Sequence, residues 1–542
     1  MARVIWREGQ GLYRIQDDAR QHVFWMHRFR DPELFPQDWI ADYFQSVAPW
    51  GYRHLYELAA HLGLEPLSFN KLLPLLLTLL TTVLVMQVSW RLLPVAPVGF
   101  VSSVILNLSL WMKDDLVSGT PRAFAVPLLL AFLWALLSDN AMATAIAVLG
   151  TGLFYPPMVI IEGGVLLLRG LGIAQNTAPK RELALLGLMA VGVVLLPYLL
   201  AANPWQPVLT RQQGLSLAEL APRGRSAFFY EDLGHFWFSG DRSGMIPGYT
   251  PLVLWFGLPL PLLLRVRQRV PLLGQVRGTA ILLQLLLSSV ASFLLAHLLL
   301  FRLHLPSRYT HHSLRVLLSL AAGMVVVAIA HSVFRRSTQA GPAILIKRLL
   351  AVIVLLSTVA SPLWLQDSFQ TAYYDGTAPK IYEYLQTTPK DSRVGGIDGE
   401  LDNIPSFGKR AILVGLEYMI PYHWGYYARV RDRFIALINA QYSPQPEPVR
   451  QFLQDNPLDY WLIRRDDFSL DYLQQHYWLN RMATSPRQDD SLVQAIQQAF
   501  ETLEQGQTPV LANFGDRCDV AASPHYWLLD RTCILDGLTP ET

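Results

Sequence analysis

Gln16-Asp17-Asp18-Ala19-Arg20-Gln21-His22 is an acidic pair that stands ahead of two amphipathic segments and then of a long series of apolar runs of membrane length. Asp18 and His22 are four apart, so on a helix both side chains lie on one face, where a carboxylate and an imidazole can share a proton, a metal or a hydroxyl substrate. Asp17 also suits the cap of the next helix, because a carboxylate accepts the free N–H groups of a helix N-terminus. The surroundings of the pair decide between a reaction centre and a simple cap.

Downstream, Trp39, Ile40, Tyr43, Phe44 and Val47 recur at helical spacing behind a cap residue at Asp38, and Tyr52, Leu55, Tyr56, Ala59 and Leu62 repeat the pattern. These are two amphipathic helices. Their faces are rich in Trp and Tyr, which settle at the headgroup level, so they are expected along the membrane surface, with a soluble helical hairpin as the alternative.

A bilayer core needs about 20 apolar residues of helix. Runs 71–94, 95–112, 121–137, 182–202, 250–264, 279–301, 312–334 and 344–366 meet or approach that length. Thr120 before Pro121 reads as a cap with proline at the first helical position. Within 141–169, Phe154-Tyr155-Pro156-Pro157 cuts one apolar run into two short halves, because proline lacks the donor and pushes its predecessor out of the helical region. The sum is a helical polytopic domain of about ten spans over residues 71–366, preceded by a first loop (residues 1–70) that holds the acidic pair and the amphipathic helices.

Orientation is set by the excess of Lys and Arg in cytoplasmic loops. With the acidic pair outside, the inner loops hold Arg91; Arg169, Lys180 and Arg181; Arg265, Arg267, Arg269 and Arg277; and Arg335, Arg336, Lys347 and Arg348. An even number of crossings then returns residues 367–542 to the outer side. That tail loses the long apolar runs and reads as a soluble α/β domain, with strands expected at 393–397, 411–416, 460–463 and 510–514 and helices at 427–441, 449–454 and 491–503. Gly395-Gly396-Ile397-Asp398-Gly399 lacks the spacing of a dinucleotide or phosphate loop and reads as a turn.

Composition agrees with a bilayer protein: 52% of residues are hydrophobic against 16% charged. A net charge of +2, with no long basic run and no zinc spacing, sets nucleic acid aside as a partner. The N-terminus shows no cleavable secretory signal, so the internal apolar segments are expected to direct insertion. Cys518 and Cys533 are the only cysteines, too few for a cysteine metal cluster. In an oxidising compartment they can close a loop of about fifteen residues; two buried free thiols are the alternative.

This plan of acidic pair, interfacial helices, many spans and globular tail resembles the GT-C superfamily of membrane glycosyltransferases, which take a sugar from a polyprenyl-phosphate carrier. In that superfamily the acidic motif lies in the first extracytoplasmic loop, ahead of two juxtamembrane helices, and Asp17 and Asp18 match it by type and by the pair of amphipathic helices after them. Residues 1–15, with Arg3, Arg7, Glu8 and Arg14, are too short and polar to match the spanning helix that precedes the motif there. The resemblance implies Asp17 or Asp18 as catalytic base and an acid in the second outer loop, where Lys113-Asp114-Asp115 stands. Carboxylates from two loops can hold one hard cation, so Asp18, Asp114 and Asp115 are the ligands expected for Mg²⁺ or Mn²⁺ if the reaction is metal-dependent.

Substrate-binding candidates lie on the same side. Arg302, His304, Arg308, His311, His312 and Arg315 cluster in a late outer loop, where a guanidinium fork suits a lipid-linked phosphate. The superfamily often places an arginine there, and Arg308 matches by position; an interfacial anchor is the alternative. Arg122 is a second candidate of this kind, and His22 belongs with the acidic pair. The long loop 203–249 offers Glu231 and Asp232 among aromatics that also suit an interfacial helix.

The expected function is inverting transfer of a sugar from a polyprenyl-phosphate donor to a hydroxyl on a glycan, lipid or protein acceptor at the outer face of the plasma (inner) membrane. Two other classes remain open: a transporter or flippase of lipid-linked glycans, and a non-catalytic membrane assembly protein whose tail binds partners. A transporter should carry ionisable residues in mid-span, and here Glu162 is the main one.

Overall fold

The structure is a computed structural model that describes residues 9–173, 180–200, 203–335 and 342–539. Arg3, Arg7, Glu8, Arg336 and the last two positions of the run 182–202 lie outside the described residues.

Helices Pro66–Leu92, Arg181–Tyr198, Ala280–Leu298 and Arg308–Phe334 are long and apolar enough to cross a membrane, and Ala96–Trp111, Pro121–Leu137 and Ala141–Phe154 are shorter apolar helices. The first begins where the Glu65 carboxylate accepts the Ser68 N–H at 2.8 Å, with Pro66 at its first position. Arg308–Phe334 is the central helix, 72% buried, packed against Ala96–Trp111 and Ala280–Leu298. Leu76, Leu79, Leu196, Leu294 and Leu298 point outward, an apolar rim suited to lipid.

The proline break is found where it is expected: Ala141–Phe154 ends at Tyr155, and Pro157–Gly170 starts anew. Two expectations change. The run 250–264 is a 3₁₀ turn, Leu252–Gly257, and a short helix, Leu260–Arg265, because Pro251, Pro259 and Pro261 interrupt it. Thr120 makes no side-chain cap; its hydroxyl bonds Ser118 Oγ at 2.8 Å, and a 3₁₀ turn, Pro121–Phe124, leads into Ala125–Leu137.

The first loop and the tail are joined. Strand β1, Arg14–Gln16, pairs antiparallel with β2, Tyr373–Asp375, at the start of the tail. Helix Trp39–Val47 is capped by Asp38, as expected, and Tyr43 and Phe44 of its aromatic face pack on protein. Tyr43 stacks on Tyr426 with ring centroids 3.7 Å apart, and Phe44 meets Tyr418 edge-on. Loop 203–249 docks on the same tail: the Ala218 N–H donates to Asp490 at 3.1 Å, and Arg431 bonds both Glu219 and Asp490.

Within the tail, β3 at Arg393–Gly395, β4 at Ala411–Ile412, β5 at Tyr460–Arg464 and β6 at Tyr526–Asp530 form a four-stranded sheet in the order β4-β3-β5-β6. β3 runs parallel to β4 and β5, and β6 is antiparallel to β5. Helices Trp424–Gln441, Pro446–Asp455 and Ser491–Glu504 are the expected ones, slightly extended. Segment 510–514 is a 3₁₀ turn and not a strand, and β6 takes the edge in its place. The glycine run after β3 is a turn: Gly396 has φ +156°, and a Cβ there would sit 2.4 Å from the Leu462 carbonyl oxygen. Cys518 and Cys533 are disulfide-bonded, with Cα atoms 5.6 Å apart.

Candidate active site

A cavity of about 930 Å³ lies where the first loop, the spanning helices and the tail meet. Asp17, Asp18, His22, Arg122, Arg302, His304 and Arg308 line it together, although 290 positions separate the first from the last in the chain. One wall is apolar, formed by Pro157, Ile160, Leu195 and Tyr198 from the helices. The opposite wall comes from the tail and includes Glu400, Asp402, Glu417 and Trp478.

The acidic pair opens a short helix, Asp17–His22, whose N-cap is the Gln16 side chain, accepting the Ala19 N–H at 3.3 Å. Asp17 is therefore not the cap. Its carboxylate bonds Arg20, which also reaches Glu417 at 3.4 Å and covers the Tyr374 ring at 4.5 Å. Asp18 pairs with Arg122 instead. His22 does not share a proton with Asp18: its ring stands edge-on to Phe44, and burial, helped by Arg122, lowers its pKa to about 4.

Arg122 is held in place by a constrained loop. Asn70 donates to the Ser118 carbonyl at 2.9 Å and Tyr56 to the Gly119 carbonyl at 3.0 Å, while Gly119 has φ +59°, and a Cβ there would lie 2.6 Å from Asn70 Nδ2. The loop brings Asp114 and Asp115 to the same guanidinium: Nη2 contacts Asp18 and also Asp114 at 2.7 Å, and Nη1 lies 3.5 Å from Asp115. Asp115 also meets Arg315 at 2.8 Å and Arg308 at 3.6 Å. The three carboxylates suggested as metal ligands do converge, and they converge on an arginine.

Electrostatics separate the acids. Burial raises the Asp18 pKa to about 7; Arg122 pulls it down, and Asp114, Asp17 and Glu417 push it up. Asp17 is also raised, by burial and then by Glu417, against Arg20. Burial acts against ionisation of Asp115 too, but Arg122, His312, Arg315 and Arg308 overcome it and hold this carboxyl well below the usual range. His304, just ahead of the central helix with φ +58°, is an exposed residue on the cavity lining, and desolvation there together with the nearby Arg308 lowers its pKa.

Five sequence candidates fall outside the lining of the cavity: Asp114 and Asp115, which stand behind Arg122, and Glu231, Asp232 and His311. Glu231 and Asp232 are exposed, and Asp232 accepts the His235 N–H at 2.6 Å to start a short turn. His311 is buried outside the lining. Sequence reasoning in turn missed a second charged cluster. Glu417 accepts from Arg225 at 2.6 Å and from Gln21, and Asp402 accepts the Glu417 N–H at 3.2 Å. Burial raises the Asp402 pKa to about 7. Glu417 is isolated in the chain, in Leu416-Glu417-Tyr418, and Asp402 ends the acidic run Asp398-Gly399-Glu400-Leu401-Asp402, which follows the glycine turn and is the one local signal that could have found it.

No protein-family model matches the chain, and no curated protein matches it in sequence. Solved structures do. The archaeal oligosaccharyltransferase AglB of Archaeoglobus fulgidus, in complex with an inhibitory peptide and a dolichol-phosphate, is similar with a TM-score of 0.56, covering 91% of this chain and 71% of that one at 10% identity. The apo form of the A. fulgidus oligosaccharyltransferase gives a TM-score of 0.55, covering 88% and 70% at 9% identity. The complex of that enzyme with Zn and sulfate gives 0.50, covering 92% and 70% at 9% identity. The chain thus shares the fold of these archaeal oligosaccharyltransferase structures.

Proposed function

We propose that this chain is a polytopic membrane glycosyltransferase that moves a sugar from a polyprenyl-phosphate donor to an acceptor hydroxyl, with inversion, at a site facing away from the cytoplasm. The observation that carries this reading is the cavity itself. It joins an acid poised near neutrality, Asp18, and the guanidinium of Arg308 to an apolar wall of Ile160, Leu195 and Tyr198 on the apolar helices. A polyprenyl phosphate has that polarity: an apolar chain ending in a charged head. Dolichol-phosphate in the AglB complex supports the same class of ligand.

Asp18 takes the proton of the acceptor hydroxyl while that oxygen attacks the anomeric carbon, and the lipid phosphate departs with the bonding pair, its charge met by Arg308 and Arg302. Guanidinium groups already placed at the cavity, Arg308 half-buried and Arg302 more exposed, can meet that developing charge with little reorganisation. The basic inner loops support an outer placement of pair and tail, and the Cys518–Cys533 bridge fits an oxidising compartment. A transport reading has less support, since the charged groups gather at one end of the helices.

The test is binding of undecaprenyl phosphate to the protein in nanodiscs. Arg308→Ala should weaken it by about ten- to a hundredfold, the value of a charged hydrogen bond of roughly 1.5 to 3 kcal/mol, and Arg308→Lys should restore part of it. Equal affinity in all three proteins would remove the donor site from this cavity.

A further inference from the structure

We propose that Arg122 is a built-in cation, standing where a divalent metal would otherwise bridge Asp18, Asp114 and Asp115, so that this carboxylate cluster works without a bound metal. The proposal rests on the proposed function only in taking this cluster as the reaction centre.

Geometry comes first. A hard cation shared by two loops needs carboxylate oxygens free to point at one centre, roughly 2.0 to 2.6 Å from it. Here Nη2 of Arg122 is that centre: it contacts Oδ2 of Asp18 and lies 2.7 Å from Oδ2 of Asp114. Nη1 of the same fork faces Oδ1 of Asp115 at 3.5 Å, and the other oxygen of Asp115 is taken by Arg315 at 2.8 Å. The carboxylate oxygens nearest to one another therefore already have a donor.

Charge gives the second argument. Asp18, Asp114 and Asp115 face Arg122, Arg308 and Arg315, three acids against three guanidiniums, and these bases keep their charge at any accessible pH. A divalent ion added to this set would be surplus charge in a buried place unless a guanidinium left. Arg122 cannot leave freely, because its loop is pinned through Ser118 and Gly119 to Asn70 and Tyr56. A fixed fork also does what the metal was expected to do for Asp18, which is to hold one oxygen and leave the other for an acceptor hydroxyl. Among the described residues no group of three or more His, Cys, Asp or Glu side chains is arranged to hold a metal ion, in keeping with a cluster arranged about an arginine.

Mn²⁺ occupancy tests this directly, read from loss of the free-ion electron paramagnetic resonance signal during titration of the purified full-length protein. Wild type should bind no Mn²⁺ tighter than about 1 mM. Arg122→Ala and Arg122→Gln, checked for folding by thermal melting, should each gain one site at least about tenfold tighter, because three carboxylates are then left without their cation, and adding Asp114→Asn should abolish it. Wild type that binds one Mn²⁺ and loses it on Asp114→Asn overturns the proposal, as does a folded Arg122 variant that gains none. If neither variant folds, the wild-type and Asp114→Asn titrations still decide. The readout needs no sugar donor, so a failed transfer assay and a failed titration are told apart.

Discussion

Replacing Asp18 by Asn tests the chemistry with least damage to the fold. Arg122 would remain bound to Asp114 at 2.7 Å and near Asp115 at 3.5 Å, and an amide oxygen can still accept from its Nη2, so the loop should stay in place. What disappears is the capacity to take a proton, and positioned general bases are typically worth about 10² to 10⁴ in rate. The pH profile gives the second signature. With a pKa of about 7, Asp18 is roughly half ionised at pH 7 and about one-tenth ionised at pH 6. Transfer by the wild type should therefore climb about fivefold between these points and level off above pH 8, while residual activity of Asp18→Asn should lack that limb. Arg122 lowers this pKa, so Arg122→Gln should move the limb to higher pH. The assay is release of polyprenyl phosphate from a lipid-linked hexose in proteoliposomes that contain acceptor lipids. An Asp18→Asn variant that retains wild-type turnover and the wild-type limb would refute the assignment.

Glu417→Gln leaves Arg20 and Arg225 buried without their shared anion, a loss of about 3 kcal/mol that should lower the melting temperature; an unchanged melt would mean that the contact does not hold the tail to the first loop. Glu417 is depressed below its ordinary value because Arg225 and Arg20 outweigh burial, so its contribution is complete above about pH 4.5 and lost as pH falls through the lower folded-state value. For the tail, Cys533→Ser opens a bridge of sequence separation 15 and should cost about 3 kcal/mol. A membrane-impermeant thiol reagent on intact cells should label Cys518 and Cys533 only after reduction; labelling that needs a broken membrane and no reductant would put the tail in the cytoplasm.

Much of the architecture is legible because it obeys local rules. Four apolar helices of membrane length among the described residues, the Tyr155-Pro156 break and the Asp38 cap each need only a few neighbouring residues to be read. The run 250–264 departs from its expected span because its three prolines outweigh its apolar composition, and 510–514 departs from a strand because a short apolar stretch carries no period to separate strand from turn. The site divides in the same way. Asp17 and Asp18 are visible as an acidic pair ahead of two amphipathic segments, and Arg122 and Arg308 as charges at the ends of apolar runs, where charge is costly without a purpose. Glu417, Asp402 and Arg225 belong to the cavity only through tertiary contact. The turn of the Trp39–Val47 aromatics toward the tail has the same origin, since Tyr426 and Tyr418 lie hundreds of positions away.

That distant cluster explains why two adjacent acids carry different duties. Asp17 faces the tail, where Arg20 engages it and carries the link on to Glu417, itself held by Arg225 from the loop 203–249. Its carboxylate is one member of a network that joins the first loop to the tail at the cavity, with Arg20 as its ion-pair partner. Asp18 faces the membrane side, paired with an arginine that two further carboxylates also share. Burial, with Asp114, Asp17 and Glu417, pushes against its ionisation, and Arg122 pulls the other way. Asp17 thus links three stretches of chain at the site, and its neighbour Asp18, poised near neutrality, is the acid to which the proposed reaction gives the hydroxyl proton.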